Sequence, residues 1–444
     1  MNIKKLLATV IVGVFILGFA GIAAALSNDI NIYGSSAQLT VWKSIAPAFL
    51  TSEGCSNVSP VYTITKDSNH AVVTATCSGK QINFRITAKA SFDGPLAVSG
   101  NTTNPNLTYT NSETLFTENC TSSSCTNTST SCTGYTRPMI AVSSCSGTTC
   151  TATDCETVTG GTSDVEASSI TQSSQGQLKG PNTAGGETHR NFTGAGAIGT
   201  NGIVYNASGK ALTDQNEIVV PFAFWVSSDV AAAGITNLTQ ADVRMIFSGQ
   251  IQNWTDLGFS YSHPINVCWR HAGSGTSATL ALTEMNTAIL QVDEIVNGAG
   301  QFNYYFNDGT GDEENCVNTL TGAVGYFDAD KASSLGAGSS YPNISGVSFN
   351  GVPAYTGTLG SGASGTSLKN MIENNEYDFW TVENLYYDSA NTDMVTLASW
   401  LSSSTNHATA LSDSWYAWVC SLNYTKGGDA LYPTYQGANP SCAP

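Results

Sequence analysis

The strongest constraint on the fold is a set of twelve cysteines that divides along the chain into groups of even number. One pair is early, six cysteines crowd a short segment, one pair lies in the middle and one pair closes the chain. Even groups predict disulfide bonds, which persist in oxidising compartments. The six predicted bridges use Cys55, Cys77, Cys120, Cys125, Cys132, Cys145, Cys150, Cys155, Cys268, Cys316, Cys420 and Cys442.

A zinc site is the alternative use for so many cysteines. The chain has no pair of cysteines separated by two residues and only five histidines, and both facts argue against zinc. We therefore predict no metal and no cofactor. The pairing within the group of six stays open, because six cysteines allow fifteen connectivities.

The N-terminal sequence predicts how the chain reaches an oxidising compartment. Lys4 and Lys5 precede an apolar run that begins at Leu6, and small residues follow at 23–25. This pattern predicts a secretory signal peptide over residues 1–25, hence a periplasmic or extracellular protein. An uncleaved anchor is the alternative, since the run approaches the roughly 20 residues that span a bilayer. No later run is long enough, so we expect no membrane association after cleavage.

Charge excludes several classes of partner. Only 11% of residues are charged, and the formal net charge is −17. Such a chain repels nucleic-acid phosphates and anionic lipids, and it has no basic cluster to offset this. We therefore expect no nucleic-acid partner.

Alternating strand and helix patterns predict an α/β fold. A strand over 30–33 is followed by apolar residues at helical spacing from Leu39. Later, a buried strand over 218–226, a helix over 239–247 and a strand over 264–270 follow one another. Strands that alternate with helices favour mostly parallel sheets.

The segment from about 99 to 161 has a different composition, rich in Ser, Thr, Asn and Cys. Without periodic apolar residues it is not expected to join a core, so we interpret it as a disulfide-stapled surface insertion. Surface loops tolerate changes in length. The insertion is therefore predicted to be exposed to partners and dispensable for ligand binding.

One segment has the character of an anion site. The strand that ends at Arg270 is followed by a glycine-flanked turn, and Ser274 begins a helix. Amides at a helix start favour anions, and an arginine offers a planar fork of donors to tetrahedral oxyanions. A hydrolase with Ser274 as nucleophile and His271 as base is a less favoured alternative, since residues so close in a loop rarely align for proton transfer.

The order of four motifs extends this interpretation. Asn237-Leu238-Thr239, the segment 246–254, the segment from Arg270 to Thr276 and Gly322-Ala323-Val324-Gly325-Tyr326 follow one another. The series resembles the periplasmic phosphate-binding proteins of ABC transporters, which are type II solute-binding proteins. The resemblance covers mainly 218–332.

The resemblance implies two α/β lobes with a ligand cleft between them. The first lobe would comprise 26–221 and 384–444, and the second 222–383. Bridges that leave the lobes free to close would then join Cys55 to Cys77, Cys268 to Cys316 and Cys420 to Cys442.

Four loops hold the oxyanion in that family, and each has a counterpart here. They begin near Ser35, Lys89, Asp164 and Arg270. The implied ligand-binding residues are Ser36, Ala37, Ser91, Ser168, Ser169, Arg270, Ser274, Gly275 and Thr276.

Two acidic residues of the family pattern are absent. The family's Asp that accepts the proton of hydrogen phosphate is replaced by Ser169, and the Asp that steadies the arginine is replaced by Ala272. Because a carboxylate accepts from a protonated oxyanion and repels a deprotonated one, phosphate and sulfate both stay possible. Asp93 and Glu166 could substitute, although we interpret both as solvated loop residues.

The predicted function is non-catalytic capture of phosphate or a similar oxyanion, with an ABC transporter permease as partner. The alternative is an extracellular structural or surface protein that keeps the scaffold without tight ligand binding. The acidic run from Asp308 to Glu314 lacks regular calcium-ligand spacing, so we interpret it as a solvated loop.

Overall fold

The computed structural model describes residues 26–100, 116–170, 206–286, 303–410 and 415–437, and it places three short strands between 173 and 191. Shorter gaps within these ranges lie at 65–66, 122–123, 207, 271–272, 308, 427–428, 430–432 and 436. The predicted signal peptide lies outside the described residues. Among those described, no helix is both long and apolar enough to cross a membrane.

The first lobe is built on a nine-stranded sheet with a parallel centre. Ile30–Gly34 lies between Gly160–Ser163 and Lys80–Ala88 and runs parallel to both. All three strands are short and rich in buried residues, as expected for strands covered on both faces. The sheet order is Thr213–Gln215, Asn384–Tyr387, Gly160–Ser163, Ile30–Gly34, Lys80–Ala88, His70–Cys77, Tyr62–Ile64, Thr149–Cys150 and Cys145–Ser146.

The second lobe is built on an eight-stranded sheet. Asn266–Arg270 lies between Asn303–Asn307 and Ala323–Asp328, and all three run parallel. The long strand Ile218–Ser227 is buried along its whole length and runs antiparallel to Ala323–Asp328. The sheet order is Leu178–Lys179, Asn303–Asn307, Asn266–Arg270, Ala323–Asp328, Ile218–Ser227 and Ile344–Gly346, with Trp380–Val382 and Ala417–Trp418 also paired to Ile218–Ser227.

Two of the helices correspond to patterns that the sequence predicts. Leu39–Ser52 buries the apolar residues that recur at helical spacing. Gln240–Phe247 begins with a capping box between Thr239 and Asp242. The other helices are Asp93–Ser99, Ser228–Ala232, Gly275–Thr279 with its π-helical continuation Leu280–Glu284, Thr310–Thr319, Thr366–Glu373, Thr392–Leu401 and Ser404–Ala410, and the 3₁₀ turns are Val142–Ser144, Ala167–Ser169, Trp254–Leu257, Ala329–Ser333 and Val419–Ser421.

Five small two-stranded sheets lie outside the two large sheets of the described residues. The pairs are Phe116–Cys120 with Cys125–Ser131, Thr136–Ile140 with Thr153–Thr157, Ser173–Gln175 with His189–Asn191, Asn237–Leu238 with Ser348–Phe349, and Tyr424–Thr425 with Thr434–Tyr435.

The predicted α/β fold with two lobes is confirmed. The division at 221/222 and 383/384 stays a prediction, and both points lie where Ile218–Ser227 pairs with Trp380–Val382.

Five disulfide bonds join described residues, and none of them joins the two sheets. Cys55–Cys77 and Cys268–Cys316 are present as predicted. The group of six, left open by the sequence, pairs Cys120 with Cys125, Cys132 with Cys155 and Cys145 with Cys150. Cys420 is disulfide-bonded too, and its predicted partner Cys442 lies outside the described residues.

The Cys-rich segment is more deeply integrated than its composition predicts. Met139, Ile140 and Val158 are buried, and Met139 and Val158 pack in the cluster that contains Tyr33 and Phe92. Thr149–Cys150 also extends the first-lobe sheet by pairing with Tyr62–Ile64. The expectation that no residue here joins a core is therefore wrong: strand pairing with the lobe sheet places a few isolated apolar residues against the lobe without any periodic pattern.

Asp93 anchors this segment to the lobe and is not the solvated residue that the sequence suggests. Its Oδ1 accepts from Arg137 Nη2 at 2.9 Å and Nε at 3.2 Å, with both side chains nearly fully buried. We expect Asp93→Asn to lower the free energy of unfolding by roughly 3 kcal/mol, because it leaves a buried guanidinium without its counter-charge. Thermal unfolding measures this. The exposed Asp154→Asn is the control, and equal melting temperatures for the two variants would contradict the prediction.

Candidate functional site

The carboxyl ends of parallel strands from both lobes meet at one cleft. In the first lobe, Ser35 and Ser36 follow Ile30–Gly34, Ser91 lies just beyond Lys80–Ala88, and Asp164 follows Gly160–Ser163 directly. Loops at this edge of an α/β sheet commonly bind ligands. These positions follow from the fold alone, since parallel strands end at the same edge.

The second lobe presents its own strand ends to the same cleft. Arg270 ends Asn266–Arg270, Asp328 ends Ala323–Asp328, and Thr310 begins the helix after Asn303–Asn307. The lobes touch here: Ser36 Oγ lies 3.3 Å from Thr310 Oγ1. The two edges are thus in direct contact.

Asp164 lies at the centre of the first-lobe side and is fully buried. Its Oδ2 accepts from Ser91 Oγ at 3.0 Å, and its Oδ1 accepts from Ser35 Oγ and, at 3.4 Å, from Gln38 Nε2. Burial raises the pKa of Asp164, while the hydroxyl donors and the charge of Arg270 oppose that rise. The carboxyl group is therefore a buried acid that three side-chain donors hold in place.

Arg270 provides the positive charge of the cleft and is only 1% exposed. Its Nη1 donates to Thr310 Oγ1 at 2.8 Å, and its backbone amide donates to the Tyr326 hydroxyl at 3.2 Å. Its buried Nε has no hydrogen-bond partner among the described residues. A buried guanidinium with an unused donor is well suited to an anionic ligand.

The helix start after Arg270 faces the first lobe. Ser274 caps it by accepting from Ser277 N, and the helical run continues from Gly275 through Glu284. A Cβ on Gly275 would overlap Ser91 Oγ and lie 2.5 Å from Asp164 Oδ2. Only glycine permits this approach, which brings the helix amides next to the Asp164 loop.

A cavity of about 660 Å³ adjoins these residues between the lobes. It is lined by Ser36 and Lys89 from the first lobe and by Thr310, Asp328 and Lys331 from the second. Burial alone would lower the pKa of Lys331, but the carboxylates of its neighbours, Asp328 among them, raise it above its usual value. The cleft therefore combines solvent-accessible lysine side chains with buried acids such as Asp328.

Tyr416 makes a second contact between the lobes. Its hydroxyl lies 3.0 Å from the Ala37 carbonyl oxygen and 2.9 Å from Asp330 Oδ2. Ala37 belongs to the first-lobe loop, whereas Asp330 follows the second-lobe strand that ends at Asp328. The contact therefore joins the lobes through groups other than the Arg270 cluster.

Asp328 makes the stability of the protein depend on pH. Its side chain is 2% exposed, and neither carboxylate oxygen has a hydrogen-bond partner among the described residues. Burial, and then the charge of Asp330, raise the pKa of Asp328 from 3.8 to about 8. Between these values the folded protein keeps a proton that the unfolded chain loses, so stability falls as pH rises.

We expect Asp328→Asn to remove this component of the pH dependence. One proton corresponds to roughly 1.4 kcal/mol per pH unit, so the stability of the variant should exceed that of the wild type by more at pH 8.5 than at pH 5. Chemical unfolding at both pH values, without oxyanions in the buffer, measures the difference. The exposed Glu376→Gln is the matched control, and an equal pH slope in wild type and Asp328→Asn would contradict the prediction.

Most of the residues predicted from sequence converge on the cleft. Those at or beside it are Ser36, Ala37, Ser91, Arg270, Ser274, Gly275 and Thr276. Ser168 and Ser169 make other contacts: Ser168 Oγ donates to Glu166 Oε2 at 3.4 Å, and Ser169 Oγ donates to Asp429 Oδ2 at 2.6 Å. Whether any of these residues binds a ligand stays a prediction. His271, Ala272 and Asp308 lie outside the described residues.

Three cleft residues were not singled out by the sequence as ligand-binding positions: Asp164, Thr310 and Asp328. Each lies immediately at a strand end or helix start, and this position is the sequence feature that could have identified it. The acidic run near 308–314 is also not a solvated loop. Glu313 is fully buried within Thr310–Thr319, and its Oε1 accepts from Tyr326 N at 2.9 Å. Burial raises the pKa of Glu313 well above its ordinary value.

Sequence comparison identifies relatives of part of the chain. The family model described as "PBP superfamily domain" matches residues 186–405. The phosphate-binding protein PstS of Bacillus subtilis (strain 168) is 29% identical over 118 residues, which is 27% of this chain and 34% of the relative. The match thus spans about a third of the length of that curated relative.

Comparison with solved structures gives distant matches. A substrate-binding protein from Clostridium perfringens with bound phosphate matches with a TM-score of 0.42 and 15% identity, covering 86% of this chain and 96% of that one. The periplasmic phosphate-binding protein PfluDING bound with phosphate matches with a TM-score of 0.43 and 12% identity, covering 88% and 90%.

Proposed function

We propose that this chain is an exported solute-binding protein that captures phosphate or a similar inorganic oxyanion between its lobes, and the match of residues 186–405 to the PBP superfamily domain supports this proposal. The observation that carries the proposal is the buried Arg270 guanidinium, with an unused donor, in a cleft that also holds Asp164 and several hydroxyl groups. The partial likeness to a phosphate-binding protein of Bacillus subtilis supports phosphate as the first ligand to test.

Arg270 would provide most of the attraction. A guanidinium offers two parallel donors that match two oxygens of a tetrahedral oxyanion. The hydroxyls of Ser36 and Thr310 and the amides at the start of the Gly275 helix would complete the donor set. We infer that Ser36 and Thr310, now 3.3 Å apart, separate to admit the ligand.

Asp164 would select the protonation state of the ligand. A carboxylate accepts a hydrogen bond from hydrogen phosphate but finds no proton on sulfate. The donors from Ser35 and Ser91 hold the carboxyl group in place. In this proposal, Asp164 performs the role for which the sequence offered no acid at position 169.

Both lobes would contribute to ligand binding, so the ligand would favour lobe closure. Ser36, Ser91 and Asp164 come from one sheet edge, while Arg270 and Thr310 come from the other. A ligand that contacts both edges binds the closed arrangement more tightly than the open one. The protein would hold its ligand without chemical change and deliver it to an ABC transporter permease at the membrane.

The test is isothermal titration of the mature chain with phosphate, sulfate, arsenate and molybdate at constant salt. We expect phosphate and arsenate to bind with micromolar or tighter affinity and sulfate to bind more weakly. Absence of heat with every oxyanion would overturn the proposal and favour a structural role at the cell surface.

A further inference from the structure

A second cluster of polar side chains lies beside the cleft, where His70 pairs with Thr87 near the end of Lys80–Ala88, and its Asp67 also lines the cavity between the lobes. Asp67 precedes the strand His70–Cys77, His70 begins it, and Glu118 lies in the hairpin strand Phe116–Cys120 of the Cys-rich segment. One imidazole nitrogen and one carboxylate oxygen from each acid all lie within 4.8 Å of one another. Residues far apart in the sequence thus bring three metal-binding groups together.

His70 is held with one ring nitrogen directed at the acids. The residue is 6% exposed; its Nδ1 lies 3.0 Å from Thr87 Oγ1, and its Nε2 lies 3.4 Å from Asp67 Oδ2. Metal-binding histidines commonly use one nitrogen for the metal and the other for an orienting hydrogen bond. The Thr87 hydroxyl is placed to orient the ring and leave Nε2 for a metal ion.

Glu118 brings a second carboxylate to the same place: one of its oxygens lies within 4.8 Å of an Asp67 oxygen and of a His70 ring nitrogen. Both acids are partly exposed, so an ion could reach them from solvent. A divalent cation between the two acids would neutralise their negative charges.

We propose that Asp67, His70 and Glu118 bind one divalent transition-metal ion of the zinc class. One imidazole and two carboxylates are accepted ligands of Zn²⁺, and three protein ligands leave a position open for water. A neighbouring group of Glu118, Cys120 and Cys125 also has short separations, but its cysteines form a disulfide bond and offer no thiolate.

The ion would join the hairpin of the Cys-rich segment to the first-lobe sheet. Glu118 belongs to that hairpin, whereas Asp67 and His70 belong to the lobe. Binding of the ion to the folded state alone would also raise its stability. This inference does not depend on the proposed capture of an oxyanion.

The test is isothermal titration of the mature, disulfide-bonded chain with ZnCl₂ in buffer free of phosphate and chelators. We expect one equivalent to bind in the wild type, together with a rise in melting temperature. Asp67→Asn, His70→Gln and Glu118→Gln should each weaken binding by about tenfold or more, since each removes a ligand. Co²⁺ should give the visible absorption of a bound ion in the wild type and lose it in Glu118→Gln.

Two controls separate this site from adventitious binding. Asp154→Asn removes an exposed acid from the same Cys-rich segment, and His263→Gln removes a histidine outside the cluster. Both should bind Zn²⁺ like the wild type. No heat with the wild type, or unchanged affinity in both Glu118→Gln and Asp67→Asn, would overturn the proposal. If either Glu118→Gln or Asp67→Asn fails to melt cooperatively, the affinity of the other variant decides the test.

Discussion

Arg270→Ala is expected to weaken phosphate binding by about thirtyfold or more. The guanidinium is fully buried, and its Nε is an unused donor among the described residues. Loss of a buried charge-assisted contact costs on the order of 2–5 kcal/mol, which corresponds to at least that factor. Isothermal titration of wild type and variant at constant salt measures the effect.

Two further variants separate charge from geometry. Arg270→Lys keeps the positive charge but loses the planar fork, so its affinity should lie between those of the wild type and Arg270→Ala. Lys210→Gln removes one exposed positive charge away from the cleft and should bind phosphate like the wild type. If Arg270→Ala also bound like the wild type, the cleft would not be the ligand site.

Asp164→Asn is expected to lower the preference for phosphate over sulfate by roughly tenfold to a hundredfold. An amide cannot carry the negative charge that accepts the phosphate proton and repels a fully deprotonated ion. A hydrogen bond to a charged group contributes roughly 1.5–3 kcal/mol, which sets this range. Competitive titration with both anions measures the ratio of affinities.

Asp429→Asn is the matched control for Asp164→Asn. Asp429 accepts from Ser169 Oγ and from Glu166 N, both at 2.6 Å. It therefore fixes the Ser169 loop, which the family resemblance implies as a ligand-binding loop. If Asp164 selects the ligand, Asp429→Asn should leave the phosphate-to-sulfate ratio unchanged. A ratio that changed only in Asp429→Asn would assign selection to the Ser169 loop instead.

Regular elements with clear periodicity could be predicted from the sequence. The apolar spacing after Leu39 and the Thr239 capping pattern each correspond to a helix, and the uninterrupted apolar run from Ile218 corresponds to a buried strand. These features depend on local sequence, which determines helix starts and buried faces without reference to the rest of the chain.

Features that depend on contacts between distant parts of the chain were harder to predict from the sequence. Met139 and Val158 are buried although the composition of their segment resembles an exposed loop, because strand pairing with Tyr62–Ile64 and the Arg137–Asp93 ion pair hold that segment against the lobe. Asp164 and Ser169 follow the same strand only five residues apart, and a motif match alone could not decide which one faces Ser91. The Asp67, His70 and Glu118 cluster has no sequence signature, since sheet pairing and the hairpin assemble it.

In the proposed function, the Tyr416 contact would give affinity and selectivity separate origins. Its hydroxyl reaches Ala37 and Asp330 on opposite lobes without belonging to the proposed oxyanion donors. Any bond that exists only in the closed form shifts the conformational equilibrium of the empty protein, and so multiplies the apparent association constant of every ligand by one common factor. Changes at this contact would therefore retune the concentration range over which the protein responds, while the ratio between competing anions stays the same.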